Sequence, residues 1–147
     1  MCIRDSSYYG KQVPQDVIHK AGEPMHSDLQ DDHDMDLALK NTGAVFQRYH
    51  GRPGDFQGYI DWIQNQLRKG RPVICECKIY PTEHPDWDGD HYILATGYNS
   101  KGLLLNTQLD CDGQLLISYK QLGALHEGYS FKNPSNEYWG RSIVGVK

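Results

Sequence analysis

The chain has no run of basic residues and no alternation of basic with aromatic side chains. That argues against nucleic acid as a partner, because phosphate recognition needs clustered Lys and Arg. No apolar stretch approaches the roughly 18 residues a membrane-spanning helix requires, so no membrane segment is expected. Cysteine is scarce, with four in 147 residues. Cys2 belongs to a suspect opening peptide, which leaves three. An odd number without regular spacing is not a disulfide framework. No internal repeat, low-complexity tract or dividing linker is evident. What is present is a length that suits one domain. The chain is 38% hydrophobic and 23% charged, with a formal net charge of −4, a globular rather than a disordered composition.

The opening Met1-Cys2-Ile3-Arg4-Asp5-Ser6 looks foreign to the rest. Read back into codons, it matches the transposon-end adapter used in shotgun DNA libraries. Residues 1–6 are therefore not expected to belong to the fold. A single domain is expected over 7–147, incomplete at its N-terminus.

Two regimes of periodicity follow. Tyr8-Tyr9-Gly10 reads as a helix end and Val13 to Ile18 as a short second helix with Pro14 in its first turn. Asp34 to Lys40 is a short helix stopped at Gly43, and Val45 to Tyr49 an edge strand. Asp55 to Lys69 is the clearest helix. Phe56, Tyr59, Ile60, Ile63 and Leu67 recur at helical spacing, and Gly70 ends it. After Gly70 the pattern becomes that of strands: Pro72 to Tyr80, His91 to Tyr98, Leu103 to Asn106, Leu115 to Tyr119 and Ser142 to Val146. Asp110-Cys111-Asp112-Gly113 is hairpin chemistry. Helices first and a mostly antiparallel sheet afterwards predict an α+β fold. Cys75 and Cys77 share one side of their strand and read as packing residues.

One constellation carries chemistry. His91 opens a nearly all-apolar strand, and Asn106 closes the next one. A thiol nucleophile needs a base, and the base needs a third group to hold its ring. Adjacent antiparallel strands can bring two such ends together. On spacing alone, His91 reads first as a strand-end histidine bonded to a nearby carbonyl, and Asn106 as a residue satisfying its own turn.

Four segments together shift that balance. They are Tyr8-Tyr9-Gly10-Lys11-Gln12-Val13-Pro14-Gln15, Leu67-Arg68-Lys69-Gly70-Arg71-Pro72-Val73-Ile74, Asp90 to Tyr98, and Leu104-Leu105-Asn106-Thr107. In order and spacing the chain resembles the bacteriocin-processing (double-glycine leader) cysteine peptidases, a branch of the papain-like peptidases. The resemblance implies a papain-like α+β fold and a cysteine peptidase acting on a peptide or protein substrate, without a cofactor. His91 would be the base and Asn106 the orienting residue. The family has aspartate followed by proline near Asn106, so the third member departs from the pattern. The resemblance puts the nucleophile about three helical turns before the Tyr8-Tyr9-Gly10 step, where this chain has no cysteine outside the foreign start. Cys75 and Cys77 lie mid-strand and Cys111 in a turn, none at a helix N-terminus where a thiolate is favoured. The intact parent is then a hydrolase, and this chain by itself is inactive. A papain-like binding domain without catalysis is the competing reading.

Two further clusters carry oxygen and nitrogen donors. His26 with Asp31, Asp32, His33 and Asp34 offers donors for a divalent cation, against the plainer reading of an acidic helix start. Asp86-Trp87-Asp88-Gly89-Asp90 hints at a calcium loop but lacks the alternating spacing and closing glutamate. Trp87 and Asp90 are better placed as cleft residues beside His91. His19, His50, His84 and His126 suggest no partner in the sequence.

Overall fold

The computed structural model describes residues 17, 20, 21, 32–107, 113–125 and 128–147. The chain divides into two compact units, Met1–Gln47 with Ile143–Lys147, and Arg48–Ser142. The architecture is α+β, as the periodicities predict. Helix α1 spans Asp32–Asn41, strand β1 Ala44–Arg48, helix α2 Phe56–Arg68 and strand β2 Val73–Cys77. Strands β3 (His91–Tyr98), β4 (Gly102–Thr107) and β5 (Gly113–Ser118) follow, then a single helical turn α3 (Tyr119–Leu122) and strand β6 (Gly140–Val146). The six strands are ordered β1-β6-β2-β3-β4-β5, so β1 is an edge and β3 is interior. The pairings of β2 with β3 and β6, of β3 with β4, and of β4 with β5 are all antiparallel.

In the first unit, α1 buries Met35, Ala38 and Leu39, at helical spacing. Gly43 ends its turn at φ 89°, a conformation that costs glycine little. The Lys147 N–H donates to the Gly43 carbonyl, which anchors the last residue.

In the second unit, α2 starts where Asp55 caps it, its carboxylate accepting from the Gly58 N–H at 2.9 Å. Gly70, at φ 72°, follows its end. The helix buries Tyr59, Ile60, Ile63 and Gln66. Gln66 takes the buried place in the last turn, while the expected Leu67 is half-buried. Its Oε1 accepts from the Ser142 hydroxyl at 3.0 Å, which offsets the cost of burying an amide.

Register decides which face of the sheet α2 covers. Side chains directly opposite in an antiparallel pair share a face. Val73, Cys75 and Cys77 oppose Ala95, Ile93 and His91, and Cys75 opposes Gly140. A Cβ on Gly140 would lie 2.9 Å from Trp62 and 3.1 Å from Tyr59 of α2. The face carrying Cys75, Cys77, Ile93 and His91 is therefore the one under α2. Cys75 and Cys77 are free and buried on that face, as the period of two predicts. Burial pushes the Cys75 thiol up to about 12, against a smaller opposing effect from a hydrogen bond to Tyr59. Burial pushes Cys77 well up too.

The hairpin turn expected at Asp110 to Asp112 and the helices expected at Tyr8–Gly10 and Val13–Ile18 lie outside the described residues, apart from Val17.

Candidate active site

His91 is the first residue of β3, opposite Cys77 of β2. The ring is partly buried. Burial lowers its pKa below the usual histidine value, and the neighbouring Asp90 charge opposes that shift. The imidazole Nε2 lies 3.3 Å from Thr107 Oγ1. Thr107 is the last residue of β4 and is 1% exposed. The Tyr129 hydroxyl donates to the same Oγ1, also at 3.3 Å. No hydrogen-bond partner of Nδ1 occurs among the described residues.

Asn106 is not brought to this ring. It opposes Leu94 of β3 and Gln114 of β5. Leu94 is three residues after His91, an odd step, so its side chain and that of Asn106 leave the sheet on the other face. Thr107, one residue further on, returns to the face of His91. The partner expected at Asn106 is thus Thr107, and the reason is strand parity. The register runs evenly from Ala95–Leu105 to Leu94–Asn106, and the irregularity between Ala95 and Gly97 falls beyond it. Counting parity from both strand ends was the sequence signal for this, but it needed the register.

Tyr129 is delivered by backbone pairing. The Lys78 N–H donates to the Ser130 carbonyl at 2.7 Å, the Ser130 N–H returns to Lys78 at 3.0 Å, and the Gly128 N–H donates to Ile79. This sets Tyr129 beside the continuation of β2. Phe131 follows, its N–H on the Leu122 carbonyl and its ring edge-on to Tyr59 at 5.2 Å. The stretch after α3 has little regular structure, and no periodicity marks Tyr129.

The loop between β2 and β3 is pinned from several directions. The Asp90 carboxylate accepts from the N–H groups of Ile79 (2.7 Å) and Tyr80 (2.9 Å). Lys78, 1% exposed, donates its ammonium to the carbonyls of His84 and Trp87. Asp88 accepts from the Ser135 hydroxyl at 2.7 Å and from its N–H. Asp90, expected in a cleft, thus spends both oxygens on the backbone next to His91. Trp87 is 55% exposed and stacks on His84, with centroids 4.0 Å apart and planes 6° from parallel. A separate cleft is bordered by Tyr49, Arg52, Glu137 and Tyr138 and shares no residue with the His91 cluster.

Of the acidic histidine cluster, His26 and Asp31 lie outside the described residues. His33 is exposed and Asp34 is 3% exposed. Among the described residues no group of three or more His, Cys, Asp or Glu is placed to hold a metal ion. No helix among them is long and apolar enough to cross a membrane.

Chemically, the cluster offers one imidazole held at one nitrogen by a buried hydroxyl pair. Its nearest described thiol is Cys77. That thiol is buried and its pKa is raised, so it is a poor nucleophile. Comparisons with known proteins return no match among family models, curated proteins or solved structures.

Proposed function

We propose that the protein is a papain-like thiol hydrolase domain acting on a peptide or protein bond. His91 is its base, and Thr107 takes the orienting role first expected of Asn106. The observation that carries the reading is the bond from His91 Nε2 to the buried Thr107 hydroxyl, on the helix-covered face of the sheet. It holds one nitrogen of the ring and leaves Nδ1 for a thiol. The reading needs a thiol from outside the described residues, since Cys75 and Cys77 are both buried. His91 would take the thiol proton as sulfur attacks the carbonyl. It would return the proton to the leaving amine as the thioester forms, and water would then release the acid.

A second reading is a papain-like binding domain without catalysis. The observation in its favour is Thr107 itself. A hydroxyl brings no negative charge to stabilise an imidazolium, and burial already disfavours the charged ring.

The test uses an electrophilic peptide probe on the protein, with the adduct located by mass spectrometry. The hydrolase reading expects one cysteine outside the described residues to be labelled, and labelling to be lost in His91→Ala. No labelling, with probe-free peptide still bound in calorimetry, would replace it with the binding domain.

A further inference from the structure

The second unit holds a cleft that the His91 reading leaves without a task. It lies between the stretch joining β1 to α2 and the stretch entering β6. Two backbone bonds fasten these stretches at both ends. The Tyr49 N–H donates to the Gly140 carbonyl at 3.1 Å, and the Gly54 N–H to the Asn136 carbonyl at 2.6 Å. Between the fastenings, Tyr49, His50, Arg52, Glu137 and Tyr138 line a cleft of about 190 Å³.

The frame of this cleft is stiff. Tyr59 of α2, fully buried, supports both aromatic walls. Its ring packs against Tyr49 at 4.9 Å and Tyr138 at 5.0 Å, and its hydroxyl donates to the Trp139 carbonyl at 2.8 Å. A Cβ at Gly51 would collide with the Tyr49 phenol, so the loop passes this ring as closely as only glycine allows. Asn136 sits at φ 56°, and its side-chain oxygen is buried without a partner among the described residues. Local costs of that kind persist where the surroundings impose one geometry.

Two opposite charges border the cleft. Arg52 and Glu137 are both exposed, and among the described residues no hydrogen bond or ion pair engages either side chain. Burial first, and then the charge of Asp55, raise the pKa of both the Tyr49 and Tyr138 phenols. At neutral pH they stay neutral hydroxyls that donate and accept. A guanidinium suits a carboxylate, and a carboxylate beside phenol rings suits an ammonium. The volume falls below the roughly 300–1,000 Å³ of a drug-sized site. That favours a small ligand with both charges close together.

We propose that this cleft binds a free α-amino acid as its zwitterion, with the α-carboxylate on Arg52 and the α-ammonium on Glu137 beside Tyr49 and Tyr138. The half-buried tyrosine rings suit an aromatic side chain best. A long peptide holds its terminal charges far apart, so either of its ends would bring one charge only. The site shares no residue with the His91 cluster, so its fate leaves the proposed function untouched.

The test is calorimetry of the protein with L-phenylalanine at millimolar concentration. Phenylalaninamide, which lacks the carboxylate, and N-acetylphenylalanine, which lacks the ammonium, are run beside it. The free amino acid should bind at least about tenfold more tightly than either derivative, the contribution of one hydrogen bond to a charged group. Arg52→Gln should weaken phenylalanine by a similar factor and leave phenylalaninamide unchanged. Glu137→Gln should weaken phenylalanine and leave N-acetylphenylalanine unchanged. Both residues are exposed, so both variants should keep the parent's urea midpoint. Equal binding of phenylalaninamide would make the cleft a seat for a peptide N-terminus, and equal binding of N-acetylphenylalanine a seat for a C-terminus. Either result overturns the proposal. So does an absence of binding with both phenylalanine and glycine, or phenylalanine binding that neither variant moves.

Discussion

The two faces of one β-hairpin behave differently. On the face under α2, β4 presents Leu103, Leu105 and Thr107, all within 1% of full burial. On the other face the same strand presents Leu104 and Asn106, both half-buried, and β5 presents Gln114 and Leu116, both exposed. The residues alternate one by one, yet one set sits in a dry, packed layer and the other meets water. A polar strand-end residue on the first face must find a partner. Thr107 finds His91 and Tyr129. One on the second face has no such obligation. The difference teaches that a site at a strand end is decided by parity before it is decided by residue type.

The largest expected contrast is chemical. Burial pushes the Cys75 thiol up to about 12 from the ordinary 9.0, so about 1,000-fold less thiolate is available to an alkylating reagent at neutral pH. Peptide-resolved mass spectrometry should find Cys75 unmodified by iodoacetamide in the native protein and modified once it is denatured. Rapid native labelling would mean that the helix-covered face is open.

Leucine truncation compares the faces directly. Leu105 is 1% exposed and Leu116 47%. Leu105→Ala should cost about 2–5 kcal/mol, whereas Leu116→Ala should stay within about 0.5 kcal/mol. Urea unfolding of the two variants measures both, and equal costs would refute the assignment of faces. Gly140→Ala adds a methyl 2.9 Å from Trp62 on the covered face. It should cost about 1–3 kcal/mol by overpacking, seen as a lower midpoint in the same titration.

A smaller effect comes from acid. Burial depresses the pKa of His91 in the folded protein. Below its ordinary value of about 6.5, the unfolded chain binds a proton that the folded ring resists, so the unfolded state holds more protons. Stability present above that pH is lost as pH falls through it toward the folded value. His91→Gln should flatten this part of the stability profile between neutral and mildly acidic pH. An unchanged profile would show that the ring is not desolvated.

Much of the fold was legible. Asp55 and Gly70 bracket α2 because a capping carboxylate and a left-handed glycine are local requirements. The start of β3 at His91 and its interior place follow from an apolar run whose middle, Ile93 to Ala95, is buried. Gln66 was missed because its burial depends on Ser142, 76 residues away. The site was half legible. His91 stands out in the sequence, but the strand end at residue 106 is one residue short of the position that the register brings to the ring. A one-residue step turns a strand side chain to the opposite face, and composition carries no record of that step. Tyr129 was invisible, since its position comes from pairing with the extension of β2 rather than from any pattern of its own.

The central claim is that the His91 ring belongs with residue 107 and not with residue 106. It is tested most directly by placing one negative charge at each position in turn and titrating the His91 ring by NMR. Thr107→Asp should raise the His91 pKa by about 1–3 units, as an opposite charge at contact distance does. Asn106→Asp, with its charge on the watery face, should move it far less. An equal or larger shift from Asn106→Asp would contradict the account.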